Sequence, residues 1–139
     1  MEATIQTSPI SKGKLWTARI MSGIAVLFLV FDCAIKLIKE SHAVEGTVQL
    51  GYPESSVVII GIIETICLAL YVTPRTSILG AILMTGYLGG AIATHVRLEN
   101  PLFSHVLFPI YIAILLWGGL YLHDRQLQAL VPFRKGKTA

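Results

Sequence analysis

Four long runs of apolar residues divide the chain, and short polar segments separate them. The runs cover about residues 16–38, 55–73, 76–96 and 103–122. Each is close to the ~20 mostly apolar residues that a helix needs to cross the hydrocarbon core of a bilayer. None alternates with the period of two that marks a transmembrane β-strand, and lipid offers the backbone no other hydrogen-bond partners. The pattern therefore predicts four membrane-spanning helices.

The connections between the runs predict how these helices are arranged. Residues 73–76 (Thr-Pro-Arg-Thr) and 99–101 (Glu-Asn-Pro) form tight turns, because proline ends a helix and threonine can cap the next one. Helices joined by such turns are adjacent and antiparallel. Only residues 39–54, a polar segment with turn residues at its end, leave room for a larger loop. We expect one domain over residues 1–139, an all-α integral membrane protein folded as an antiparallel four-transmembrane-helix bundle.

The charge content agrees with a membrane protein and excludes several other classes. Only 14% of the residues are charged, 11 Lys or Arg and 8 Asp or Glu, whereas a soluble domain carries about 25%. A disordered chain would be richer in charge and poorer in apolar residues. The net charge of +3 is not gathered into a basic stripe with aromatic residues, so we expect no nucleic-acid partner.

The distribution of Lys and Arg predicts that both termini lie in the cytoplasm, with the protein in the cell (inner) membrane. Short cytoplasmic loops are enriched in these residues. Eight lie on the side of the termini and three on the other. The eight are Lys12, Lys14, Arg19, Arg75, Arg125, Arg134, Lys135 and Lys137; the three are Lys36, Lys39 and Arg97. In this orientation Trp16, Tyr71, Trp117 and Tyr121 are expected near the inner interface as aromatic anchors.

Three ionisable residues interrupt the apolar runs at similar depth. At about 1.5 Å of rise per residue, Asp32 lies roughly 10 Å below the outer end of its helix and Glu64 about 14 Å below the outer end of the next. Lys36 is one turn above Asp32 in the favourable acid-before-base order. Two interpretations stay open. The three residues form a structural ion-pair cluster, or they contact a ligand, since intramembrane charges are functional by default.

Further polar candidates lie near the outer turn between the third and fourth helices. His95 and Arg97 are roughly 200° apart around a helix, so they cannot both face the interior. Pro109 cannot donate to the carbonyl of His105, which predicts a freed backbone acceptor. Two histidines without an ordered third ligand are weak evidence for a metal, and we expect no metal site.

Gly86 and Gly90 form a small-xxx-small pair in the third helix. Such a pair lets another backbone approach closely, either within the chain or across a homodimer seam. The sequence contains no phosphate-binding loop, nucleophile elbow or zinc-protease motif. Cys33 and Cys67 are isolated and form no Cys-x-x-Cys pair. We therefore name no catalytic residues and expect that the protein has no catalytic activity of its own.

Several motifs resemble those of the DoxX-like membrane proteins over about residues 15–132. They are Gly51-Tyr52-Pro53-Glu54, Gly61-Ile62-Ile63-Glu64 and the segment from Gly89 to Arg97, with Lys36, Pro74-Arg75, His105, Phe108-Pro109, Trp117 and Leu120-Tyr121-Leu122. The resemblance implies a four-helix antiparallel bundle with polar positions at Lys36, Glu64, His95, Arg97 and His105. The family takes its name from a subunit of a quinone-linked sulfur oxidoreductase, and its animal relatives resemble the NACHO-type receptor chaperones.

These observations favour a binding protein. We expect the protein to bind a lipophilic molecule, a quinone or a lipid, in a polar pocket in the outer half of the membrane. In this interpretation the protein is an accessory subunit of a membrane redox system. The candidate ligand-binding residues are Asp32, Lys36, Glu64, His95, Arg97 and His105. A quinone is the one candidate cofactor. The alternative is a scaffold or assembly chaperone for other membrane proteins, and a small proton-coupled transporter ranks third, since inverted repeats are absent.

Overall fold

The computed structural model describes residues 9–131, which form six α-helices and one π-helical turn. The helices are α1 (Lys12–Leu37), α2 (Ser41–Gln49), α3 (Ser56–Val72), α4 (Ser77–Arg97), α5 (Phe108–His123) and α6 (Arg125–Leu130), and the π-helical turn is Leu102–Val106.

Four of these helices form the predicted antiparallel bundle. α1, α3, α4 and α5 are arranged in a ring in which each contacts its two neighbours. α1, α4 and the segment Leu102–His123 are long and apolar enough to cross a membrane. α3 is also apolar but has 17 residues, about 26 Å of helix, at the short end of what spans a bilayer. We call the end of the bundle that carries α2 the α2 end, and the opposite end the terminal end.

The segment predicted as a polar loop contains a helix. Glu40 caps α2, because its side chain accepts hydrogen bonds from the backbone N–H groups of His42 and Ala43, at 2.8 and 3.4 Å. An acidic N-cap satisfies N–H groups that have no partner inside the helix. The segment 41–49 lacks the long apolar run of the other helices, so the hydrophobic pattern did not predict this helix.

The fourth predicted span is not one continuous α-helix from residue 103. A π-helical turn comes first, and α5 begins only at Phe108. Pro109 therefore lies in the first turn of α5, where its missing N–H breaks no helical hydrogen bond. His105 lies in the π-helical turn rather than in a regular α-helix, and the predicted freed carbonyl at this residue stays a prediction.

The terminal end is closely packed through residues without side-chain bulk. A Cβ at Gly80 would overlap the backbone of Tyr71, and a Cβ at Gly119 would lie 2.9 Å from the carbonyl oxygen of Ala18. Tyr71 itself is buried, and its hydroxyl donates to the carbonyl of Leu116 at 2.8 Å. Tyr71 is thus part of the core, and its expected role as an interfacial anchor was wrong.

Candidate functional site

Lys36 lies at the centre of a polar cluster inside the bundle. Its Nζ donates to Asp32 Oδ2 at 2.5 Å, to Glu64 Oε2 at 2.7 Å and to the Tyr87 hydroxyl at 2.8 Å. Tyr87 in turn donates to Glu64 Oε2 at 2.8 Å. α1, α3 and α4 each contribute to this polar cluster, so the three ionisable residues predicted at one depth are in direct contact.

Glycine at position 61 lets Lys36 approach α3. A Cβ at Gly61 would lie 2.9 Å from the Cβ of Lys36, closer than side-chain carbons normally pack. Gly61 precedes Glu64 by three residues on the same helix, so it lies on nearly the same face, one turn away. The Gly-Ile-Ile-Glu motif therefore combines the close approach of two helices with the carboxylate that accepts the lysine.

Glu64 has one oxygen that the protein does not satisfy. The residue is 0% exposed, and both hydrogen bonds in the polar cluster end on Oε2. Oε1 has no hydrogen-bond partner and is the single buried side-chain oxygen or nitrogen in this state among residues 9–131. An unsatisfied buried acceptor costs about 1–3 kcal/mol, so this atom is the place in the polar cluster where a further donor is most favourable.

The charges within the polar cluster do not balance. One lysine faces two carboxylates, Asp32 and Glu64, which gives a net negative charge when all three are ionised. Isolated charge is costly in a low-dielectric interior. A proton on one carboxylate, or a donor group from a bound molecule, removes this imbalance.

A cavity of about 800 Å³ adjoins the polar cluster. All four bundle helices and α2 contribute to its wall, which includes the cluster residues Asp32, Lys36, Glu64 and Tyr87. Most of the remaining wall is apolar; Phe28, Ile35, Ile60, Ile63, Phe108 and Ile112 belong to it. Cavities that bind small molecules have this composition, with apolar walls and a few convergent polar groups.

His95 and His105 also line the cavity and contact each other, with ring centroids 5.6 Å apart. Asn100 Nδ2 lies 2.8 Å from His95 Nδ1, and Ser104 Oγ lies 2.8 Å from His105 Nδ1. Each ring is thus oriented through its Nδ1 atom. Within the described part of the chain, no group of three or more His, Cys, Asp or Glu side chains could hold a metal ion.

Arg97 is not among the residues that line the cavity. Its Nη2 donates to the carbonyl of Leu50 at 2.8 Å, which ties the C-terminal end of α4 to the segment that follows α2. Gly51 beside it has φ +85°, and a Cβ there would lie 3.1 Å from the guanidinium. The geometry gives Arg97 a contact with the backbone, and its assignment as a ligand-binding residue stays a prediction.

Gly86 and Gly90 lie on the wall of the cavity rather than against another helix of the chain. A Cβ at either position would have no heavy atom within 4 Å. Close packing within the chain, one of the two roles expected for this pair, is absent at both residues. The homodimer seam stays a prediction.

Three cavity residues were missed by the sequence analysis. Tyr87 belongs to the polar cluster, while the Tyr52 hydroxyl and the Thr94 hydroxyl share a hydrogen bond of 2.8 Å on the cavity wall. A signal for Tyr87 was present, because a phenol in the middle of an apolar span needs a hydrogen-bond partner. Nothing comparable pointed to the pairing of Tyr52 with Thr94.

α2 covers part of the cavity, and an exposed pair orders its start. His42 lines the cavity, and its Nδ1 donates to Glu40 Oε1 at 2.9 Å. This hydrogen bond is the main reason why the pKa of Glu40 is lowered to about 2. The same bond raises the pKa of His42 above its usual 6.5.

Fold and site together define the class of the protein: a small multi-pass helical protein with apolar spans and an enclosed polar cluster. Within that class, the profile of the DoxX-like family matches residues 20–119, and the chain belongs to the DoxX-like family. The match includes the whole polar cluster and the two histidines that contact each other, His95 and His105. No curated protein and no solved structure matches the chain.

Proposed function

We propose that this DoxX-like protein binds an amphipathic lipophilic molecule, a quinone or a lipid, in the cavity and acts as the accessory subunit of a membrane redox system. The observation that carries the proposal is Glu64 Oε1, a fully buried oxygen without a partner in the described chain, on the wall of a cavity of about 800 Å³. A ligand group that hydrogen-bonds to this atom relieves the penalty of leaving it unsatisfied.

The polar cluster suits the head of such a molecule. When Glu64 is ionised, Oε1 accepts a hydrogen bond from a hydroxyl group of a lipid or a quinol. When Glu64 carries a proton, the same atom donates to a quinone carbonyl. Lys36 and Tyr87 hold the other carboxylate oxygen in place, so the recognising atom is fixed before the ligand arrives.

The redox role and the orientation rest on other arguments. The accessory role follows from the resemblance to a family named for a subunit of a quinone-linked oxidoreductase. The excess of Lys and Arg at the terminal end supports cytoplasmic termini and a cavity in the outer half of the membrane. Three of the residues counted for that orientation, Arg134, Lys135 and Lys137, lie outside the described residues.

A scaffold or assembly-chaperone role is the second candidate. Gly86, Gly89 and Gly90 leave a strip of α4 without side chains, where an added Cβ would meet nothing within 4 Å. Helices in membranes associate through such small residues, so a second copy or another membrane protein fits there. Cross-linking in membranes tests this candidate: a partner that disappears in Gly89→Leu supports it, and an unchanged cross-link pattern contradicts it.

The binding proposal is tested on the full chain purified in mild detergent. Bound small molecules are extracted and quantified by mass spectrometry for the wild type, for Glu64→Gln and for Glu54→Gln, a control carboxylate outside the cavity. We expect a quinone or lipid in the wild type and about tenfold less in Glu64→Gln, since a hydrogen bond to a charged group contributes about 1.5–3 kcal/mol.

The control protein is expected to keep the wild-type content. Circular dichroism verifies that all three proteins are equally helical. Equal ligand content in the wild type and Glu64→Gln, or a wild type that carries no lipophilic molecule, contradicts the proposal.

A further inference from the structure

The glycines of α4 fall into two groups with different surroundings. At Gly80 the backbone of Tyr71 on α3 occupies the space that a Cβ would need. At Gly86 and Gly90 this space is empty, both residues are exposed, and both line the cavity. α3 and α4 are therefore in close contact at the terminal end, and the cavity wall on α4 has no side-chain bulk at Gly86 and Gly90.

The positions of the lining residues around the two helices place this part of the cavity at the outer edge between α3 and α4. At about 3.6 residues per turn, Gly86 and Gly90 are roughly 40° apart on α4, and Gly86 is roughly 100° from Tyr87, which contacts α3 through Glu64. On α3 the cavity wall includes Ile63, which is 49% exposed. A cavity lined by exposed residues of both helices reaches the surface that faces lipid.

We infer that this opening, the α3–α4 gap lined by Ile60, Ile63, Gly86 and Gly90, is a binding subsite for a long unbranched or isoprenoid hydrocarbon chain. The inference rests on the proposed function and deepens it. The head of the ligand is held at Glu64, and its chain leaves the cavity through the gap into the bilayer.

Two features of the structure lead to this assignment. Ile63 and Glu64 are consecutive on α3, so the unsatisfied oxygen and the gap belong to neighbouring parts of one cavity. The gap is lined by apolar side chains and bare backbone, which offer a hydrocarbon chain contacts similar to those of lipid. A molecule that lies in the bilayer can therefore reach Glu64 laterally, without passing α2.

The test uses substitutions that fill the gap without disturbing the fold. Gly86→Leu and Gly90→Leu place a side chain in empty space on the cavity wall. Gly89→Leu is the matched control, because its Cβ is also unobstructed but the residue does not line the cavity. Leucine is also a better helix former than glycine, so all three variants are expected to fold.

Two pairs of probes are bound to the wild type and the three variants in detergent. One pair is decylubiquinone and the same benzoquinone ring without its chain; the other is monoolein and monobutyrin. For the pair whose head the cavity accepts, we expect the long-chain probe to bind the wild type at least about tenfold more tightly, because each buried methylene adds to the affinity. Gly86→Leu and Gly90→Leu should remove this advantage and leave the short probe unaffected, whereas Gly89→Leu should retain it.

Other results separate the two proposals. Glu64→Gln is measured beside the wild type and the glycine variants, and a short probe that binds the wild type but not Glu64→Gln reports the head site. If such binding is seen but the wild type shows no chain advantage, or the advantage persists in Gly86→Leu and Gly90→Leu or disappears equally in Gly89→Leu, the chain subsite is wrong and the head site stands. If no probe of either pair binds to the wild type, the proposed function is wrong and the chain subsite with it.

Discussion

The two ends of the bundle use the same residue types in opposite ways. At the terminal end, Gly80 and Gly119 bring helices into contact, and the Tyr71 hydroxyl is satisfied by Leu116 and by Ser22 at 3.0 Å. A second cavity, of about 710 Å³, lies at this end. None of the described side chains on its wall leaves a buried polar atom unsatisfied.

At the α2 end, the glycines of α4 are unobstructed, and Glu64 keeps an oxygen without a partner. Tyr87 at this end joins a charged cluster, whereas the Tyr71 hydroxyl donates to a backbone carbonyl. A protein that needed only to hold its helices together would gain from satisfying Glu64 as it satisfies Tyr71. The difference agrees with the proposal that a ligand binds at the α2 end, whereas the terminal end is packed closely and satisfies its buried tyrosine.

The largest effect is expected for Lys36→Met, which removes the cation shared by Asp32 and Glu64. Loss of one partner leaves uncompensated buried charge, and the free energy of unfolding should fall by about 3–5 kcal/mol. The measurement is unfolding in mixed detergent micelles. Lys39→Met, at an exposed position just beyond α1, is the control and should change stability little; equal effects in the two variants would show that the polar cluster contributes nothing to the fold.

Gly80→Ala compares the two glycine environments directly. The added methyl group forces α3 and α4 apart, so we expect a loss of about 3 kcal/mol, the upper range for overpacking. Gly86→Ala meets empty space and should stabilise α4 by up to about 1 kcal/mol, because alanine is the better helix former. The same unfolding assay measures both, and a loss in Gly86→Ala as large as in Gly80→Ala would remove the distinction between the two ends.

The sequence predicted the bundle because lipid leaves a chain few choices. Long apolar runs must be helices in a bilayer, and the short turns at Pro74 and Pro101 force neighbouring helices to be antiparallel. Depth along the helices was enough to place Asp32, Lys36 and Glu64 in one layer. Each of these inferences depends only on local composition and helical rise.

What the sequence did not predict depends on contacts between elements. α2 begins at a capping residue, Glu40, and lacks the long apolar run that identified the spans. Arg97 was named as a site residue through the family resemblance, although its guanidinium contacts the Leu50 carbonyl. Whether a glycine packs or lines a cavity depends on what faces it, so Gly80 and Gly86 look alike in the sequence.

Replacing one tyrosine at each end should separate stability from binding. Tyr87→Phe removes two hydrogen bonds to charged groups and is expected to lower the free energy of unfolding by about 1.5–3 kcal/mol. It should also lower the ligand content, since Glu64 is then less well positioned. Tyr71→Phe should cost about 1 kcal/mol and leave the ligand content unchanged. Unfolding assays and mass spectrometry of extracts measure the two quantities, and a ligand loss in Tyr71→Phe would contradict the division between the ends.

The smallest effect concerns the exposed pair that starts α2. The contribution of Glu40, whose pKa is lowered to about 2, is present above pH 4.5 and is lost as the pH falls through about 2. The contribution of His42, whose pKa is raised, is present below pH 6.5 and is lost as the pH rises through the raised value. The start of α2 should thus be best ordered between pH 4.5 and 6.5, with Glu45 adding to the stabilisation of protonated His42.

Amide exchange of residues 42–46, followed by NMR against pH, measures this order at the α2 end. Exchange should be slowest inside the window and should accelerate on either side of it after correction for intrinsic rates. Glu40→Gln should move the pKa of His42 back toward 6.5 and flatten the pH profile of amide exchange at residues 42–46. The exchange profile of the amides around Tyr71, at the terminal end, should not change. Because the pair is solvent-exposed, its effect on global stability is small, so local exchange is the suitable readout. A profile that is unchanged in Glu40→Gln would mean that the pair does not order the start of α2.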